Sequence, residues 1–230
     1  ALQPKIKAHA RKDHFEHAGA CGGFLDKNGY PFCRGRVFDH IEEDTGQYST
    51  ATDIFWASGA CSVYRAEAFH EVGGFDEDFF AHMEEIDLCW RLQLAGHKLR
   101  CLPESTVYHL GGGTLNYMSP KKAFLNFRNS LFMITKNYQQ GSLAWLIFKR
   151  LVLDGIAGVR FLTQLKPTFF WMVLKAHFQF YGKLRGLLKK RKQVVVRSHD
   201  IRGIYRKNIV LQYFVKKKRT FSELDQDLFS

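Results

Sequence analysis

The chain has 230 residues, 46% hydrophobic and 15% aromatic, which is enough for the core of one large domain or two small ones and excludes a disordered chain. Five Pro and 19 Gly with no repeat exclude collagen-like and low-complexity classes. The net charge of +12 is uneven: residues 1–119 hold 11 Lys and Arg against 17 Asp and Glu, residues 120–182 hold 9 against 1, and residues 183–219 hold 14 against 1. A mildly acidic body carries a basic C-terminal third, and that third alone points to an anionic surface as partner.

From Phe15 to Val37, short apolar stretches broken by Gly, Asn28 and Pro31 predict short strands and turns. Residues 39–53 read as a polar surface loop, and the apolar run Ile54–Tyr64 as a buried strand. A short helix is expected over Arg65–Val72, capped by Gly73 and Gly74, and an amphipathic one over Glu84–Ala95, ended by Gly96. Lys98–Leu102 and Thr106–His109 predict two strands around Pro103, and the Gly111–Gly113 run should close a first module near residue 118.

After Pro120 the pattern changes to long helices, expected over 121–138, 142–165 and 168–192, with a short basic helix over 204–219 and a tail after it. The second and third mix large apolar and basic side chains, as a helix lying in a lipid headgroup region does. A helical pair packed on its own domain accounts for the same pattern. Charged residues interrupt 142–182 too often for a membrane span.

Five Cys without a C-x-x-C pair argue against a disulfide framework or zinc ribbon and fit a reducing compartment. The chain opens at Ala1 with no signal-peptide pattern and reads as a piece of something longer. His9, His14 and His17 lack ligand partners at metal-site spacing and read as solvated.

Six carboxylates fall within twelve residues: Asp76, Glu77, Asp78, Glu84, Glu85 and Asp87. At a helix N-terminus the last three should feel the positive end of the dipole and stay ionised, as a general base requires. Plain helix capping, with Asp87 paired to Arg91, explains the same residues.

The order of the pieces adds information. F-W-A-S-G-A at 55–60, V-G-G-F-D-E-D-F-F at 72–80, E-E-I-D-L-C-W-R at 84–91, A-G-H at 95–97 and V-Y-H at 107–109 together resemble the C-terminal half of the family 2 glycosyltransferases, in particular their rhamnosyltransferase-like branch. The resemblance implies the C-terminal half of a GT-A type α/β domain followed by amphipathic, basic helices. It also implies an inverting, metal-dependent transfer from a nucleotide-sugar donor to a saccharide or lipid-linked acceptor in cell-surface polysaccharide or glycolipid synthesis. Glu85 takes the role of base with Glu84 beside it; the family more often has Asp at the second place. Asp76, Gly74, Asp87 and Arg91 fall on the acceptor side, Trp56 and Gly59 in the pocket floor. His109 matches a histidine that joins the divalent ion, Mn²⁺ or Mg²⁺, on the donor diphosphate; a hydrogen-bonded surface histidine is the other reading.

No D-x-D of the family's metal motif stands upstream of residue 54, and Asp76-Glu77-Asp78 falls on the acceptor side. The expected organisation is thus an acceptor-side half over 1–118, a helical membrane-surface region over 119–192 and a basic tail over 193–230. The nucleotide-binding half and most of the metal site would be missing, leaving this piece inactive alone. Peripheral placement on the inner face of the cell membrane follows from the basic third, and no nucleic-acid motif is present. The competing reading is a non-catalytic binder of anionic membranes built on a degenerate transferase scaffold.

Overall fold

A computed structural model describes residues 1–17, 19–111 and 119–230. Beyond Gly111, the expected break at 111–113 and the close of a module near residue 118 lie outside the described residues. The mixed α/β class expected from the sequence is present. The chain forms two compact units, one of residues 1–74, 88–111 and 196–230, the other of residues 75–87 and 112–195.

The first unit holds two sheets. Strand β1 (Leu2–Ala8) pairs in parallel with β7 (Arg100–His109), and β6 (Thr52–Asp53) adds antiparallel to β7. The β1–β7 register slips between Pro4, opposite Leu102, and Lys5, opposite Thr106, so residues 103–105 leave the ladder. The two strands expected around Pro103 are therefore one strand with a bulge, which absorbs the proline's missing donor. The second sheet runs β5-β4-β3-β2-β8, with β2 (Gly23–Asp26), β3 (Pro31–Cys33), β4 (Arg36–Val37) and β5 (His40–Ile41) as antiparallel neighbours and β8 (Ile204–Tyr205) parallel to β2.

The run 54–64 is not the strand expected. Its Phe55 and Trp56 amides both donate to the Gly23 carbonyl, and Ile54 to Ser58 are buried in an irregular path. Gly23 admits this approach because a Cβ there would lie 2.1 Å from the Trp56 ring. Residues 39–53 are likewise more than a loop, since they supply β5, β6 and the buried side chains of Glu42 and Tyr48.

Helix α1 (Ala66–Glu71) ends as expected, with Gly73 and Gly74 at positive φ and their amides returned to His70 and Phe69 carbonyls. Residues from Val196 on belong to the first unit, where β8 and the short helix α6 (Ile209–Phe214) replace the expected basic helix and tail. Phe221 packs tilted and Phe229 edge-on against Phe24, with ring centroids 4.8 and 5.3 Å apart. Aromatic burial without periodicity decides this segment, and a period search is blind to it.

Three long helices make up most of the second unit: α3 (Pro120–Asn137), α4 (Leu143–Thr163) and α5 (Pro167–Arg191). Their ends follow local chemistry. Ser119 and Ser142 hydroxyls accept from Lys122 and Trp145 amides, and Pro120 and Pro167 occupy the first turns of α3 and α5. Helix α2 (Glu84–Leu94) begins in this unit, and the division falls between its Asp87 and Leu88.

Candidate active site

The acidic pair sits on a strained turn. Phe80, His82 and Met83 all have positive φ, at 63°, 66° and 70°, directly before α2. Three non-glycine residues in that region within four positions cost on the order of 1–3 kcal/mol each and persist only where their surroundings hold them. Here the holding groups come from α3. Asn129 Nδ2 donates to the carbonyls of Phe79, Ala81 and His82 at 3.0, 2.8 and 2.7 Å, and Arg128 Nη2 donates to those of Asp78 and Phe79 at 3.1 and 3.0 Å.

Behind the turn lies an alternating charge network. Lys136 Nζ donates to Asp76 Oδ2 at 2.5 Å and to Asp87 Oδ2 at 2.9 Å, and Asn137 Nδ2 donates to Asp87 Oδ1 at 2.8 Å. Lys190 Nζ reaches Asp76 and Asp78 at 2.6 and 2.5 Å. Burial would raise the Asp76 carboxyl, but the two lysines outweigh it and hold it down to about 2. Asp76 is thereby held as an anion, and the lysine contacts fasten it and Asp87 in place.

Glu84 and Glu85 are different. Each keeps a carboxylate oxygen, Oε2, shielded from solvent with no hydrogen-bond partner, and so does His82 at Nε2. Burial, and then the charge of Glu84, push the Glu85 carboxyl up to about 8; burial raises Glu84 as well and lowers His82. The expectation that the helix dipole keeps this pair ionised is thus corrected, because desolvation exceeds the dipole term, which is typically about 0.3–1 kcal/mol. Three unsatisfied polar atoms thus fall within four residues, on a turn that costs energy to maintain. His82 escaped the sequence reading because nothing in its spacing distinguishes it.

The remaining candidates belong to the first unit. Trp56 is 5% exposed and its Nε1 donates to the Phe24 carbonyl at 3.1 Å, so its ring is core. Gly59 lies on an exposed bend with nothing near its Cβ direction. Arg91 donates to the carbonyls of Val72 and Gly74, fastening the Gly73–Gly74 turn. His109, at the end of β7, faces Glu16 at 3.4 Å, and its Nδ1 has no hydrogen-bond partner. Among the described residues no group of three or more His, Cys, Asp or Glu gathers as a cation site. His14 contacts Asp13 and Arg11, and His17 contacts Arg36.

The family model for glycosyltransferase like family 2 matches residues 4–149, more than half of the chain. The chain belongs to that family of transferases, and its mixed sheets and helices are consistent with a GT-A type domain. It is similar to the N-acetylglucosaminyl-diphospho-decaprenol L-rhamnosyltransferase of Mycobacterium tuberculosis, 46% identical over 56 residues that make up 24% of this chain and 18% of that protein. Against Rhamnosyltransferase WbbL of Escherichia coli the identity is 40% over 58 residues, 25% of this chain and 22% of that one. The Pre-mycofactocin glycosyltransferase of M. tuberculosis is 36% identical over 89 residues, 37% of this chain and 19% of its own length. The chain thus matches about a fifth of the length of each of these relatives.

Proposed function

We propose that the turn and first helical turn at residues 76–87 form the acceptor side of an inverting glycosyltransferase, with Glu85 as its general base. The reading rests on one observation: Glu85, its neighbour Glu84 and His82 hold unsatisfied polar atoms on a turn kept strained by Asn129 and Arg128. Glu85 would accept the proton of the acceptor hydroxyl as that oxygen attacks the anomeric carbon. The new C–O bond forms opposite the breaking bond to the nucleotide's phosphate, and the bonding electrons leave with the diphosphate. A carboxyl raised toward neutrality is matched to this task, because a base whose pKa lies near the working pH transfers protons with the greatest advantage.

The names of two relatives make a nucleotide-activated rhamnose the first donor to try, and a saccharide on a lipid diphosphate the first acceptor, in polysaccharide or glycolipid assembly. A divalent ion bound with the donor would neutralise the leaving diphosphate, and His109, whose Nδ1 has no hydrogen-bond partner, is the ligand proposed for it on this chain. In the complete enzyme Glu85→Gln should lower kcat by roughly 10²- to 10⁴-fold with donor binding unchanged. Near-normal turnover would remove Glu85 from the role.

A further inference from the structure

Helix α4 has its polarity reversed. The buried row repeats every fourth residue, Leu146, Arg150, Asp154 and Gly158, and includes two charges. Arg150 and Asp154 are 2% and 0% exposed; Arg150 donates to Ser130 Oγ at 2.8 Å, and His177 lies 3.4 Å from Asp154. The opposite face is predominantly apolar. Trp145, Phe148, Val152, Ile156, Val159 and Leu162, at steps of three and four, are between 40% and 61% exposed. A helix packed for water alone places these two rows the other way round.

Charge indicates what covers the stripe. Helices α3 to α5 contain a single acidic residue, the buried Asp154, while Arg160 and Lys175 are exposed and Lys149 and Lys166 partly so. Lys149 lies over the Trp145 ring at 5.6 Å, an ammonium beside an apolar edge. A second copy of the chain would bring the same positive charge to the seam. An acidic lipid surface satisfies both features, since acyl chains receive the stripe and phosphates the cations. No described helix is long and apolar enough to cross a membrane, which leaves a helix lying along the surface.

We propose that α4 docks flat on an anionic bilayer, its Trp145-to-Leu162 stripe at the headgroup boundary and Lys149, Arg160 and Lys166 on lipid phosphates. The claim is independent of the transfer chemistry and is tested on the chain as it stands. Incubated with vesicles of phosphatidylglycerol in phosphatidylcholine, the chain should co-sediment, bind less as salt rises, and show Trp145 fluorescence quenched by brominated lipid. Val152→Gln/Ile156→Gln/Val159→Gln alters only exposed positions, so its unfolding midpoint should hold while vesicle affinity falls roughly tenfold or more. Absence of binding, equal binding to pure phosphatidylcholine, or a soluble dimer that the triple variant dissolves would each overturn the proposal. Quenching in a Trp171→Phe variant, in which Trp145 is the one exposed tryptophan left, decides the matter even if the triple variant fails to fold.

Discussion

Lys136 and Asp87 form an ion pair at 2.9 Å with both side chains out of solvent, 3% and 0% exposed. The same ammonium binds Asp76, so a single cation ties the loop before the acidic pair to the first turn of the helix that carries it.

Lys136→Met removes the ammonium from Asp87 and one of two from Asp76. Breaking a buried pair by removing one partner typically costs about 3–5 kcal/mol, and urea unfolding should show a loss of that order. A loss below about 1 kcal/mol would show that the network is not a fastener. Asp76, held at about 2 against an ordinary 3.8, stabilises the fold above its unfolded value and ceases to do so as pH falls toward about 2. The variant's acid unfolding should therefore be shallower in that range.

The Glu85 carboxyl works in the opposite sense. Its folded value of about 8 lies above the ordinary 4.5, so between the two the native state holds a proton that the unfolded chain has released. Stability then falls as pH rises through that window. Glu85→Gln should flatten the decline and raise Tm relative to the parent at about pH 8, with little effect near about pH 4. A variant no more stable than the parent at the alkaline end would contradict the assignment.

Asn129→Ala strips a donor from three carbonyls at the left-handed turn. Leaving a buried acceptor unpaired costs about 1–3 kcal/mol, so a stability loss of at least about 2 kcal/mol is expected. If Glu85 is the base proposed above, kcat of the complete enzyme should fall while the donor KM holds. A stability loss with kcat intact would make Asn129 merely structural.

Gly23→Ala would place a methyl against the Trp56 ring and should destabilise by about 1–3 kcal/mol or more. Trp56→Phe costs stability too, through the lost bond to the Phe24 carbonyl. The double variant should be less destabilised than the sum of the two, because the smaller ring makes room for the methyl. Strict additivity in chemical denaturation would contradict this coupling.

The helices were legible because period and punctuation agreed. Residues 121–138, 142–165 and 168–192 became α3, α4 and α5 within two residues at each end, and Gly96 closes α2. The run 54–64 misled because a buried apolar stretch looks the same whether its amides bond a ladder or scattered acceptors, as Ile54 does to Leu99 and Phe55 and Trp56 do to Gly23. In the candidate site the carboxylates stood out as a local cluster. The side chains that fasten it, Asn129, Lys136 and Lys190, lie from 47 to 114 residues away along the chain from their partners, and no spacing rule reaches so far.

The pairing of β2 with β8 has a consequence for how the protein is made. Asp26, at the end of β2, accepts the Ile209 amide across 183 residues, and the Leu25 amide has no Gly203 carbonyl to donate to until that segment arrives. At about 5–20 residues per second, a ribosome takes roughly 10–40 s to bridge that interval. Throughout it, Phe24 and Phe32 wait without their aromatic cover from Phe221 and Phe229, while α3, α4 and α5, contiguous in the chain, pack mainly on one another and on residues 75–87, which precede them. The helices therefore mature first during synthesis, and the sheet that precedes them in the sequence is the last part to close.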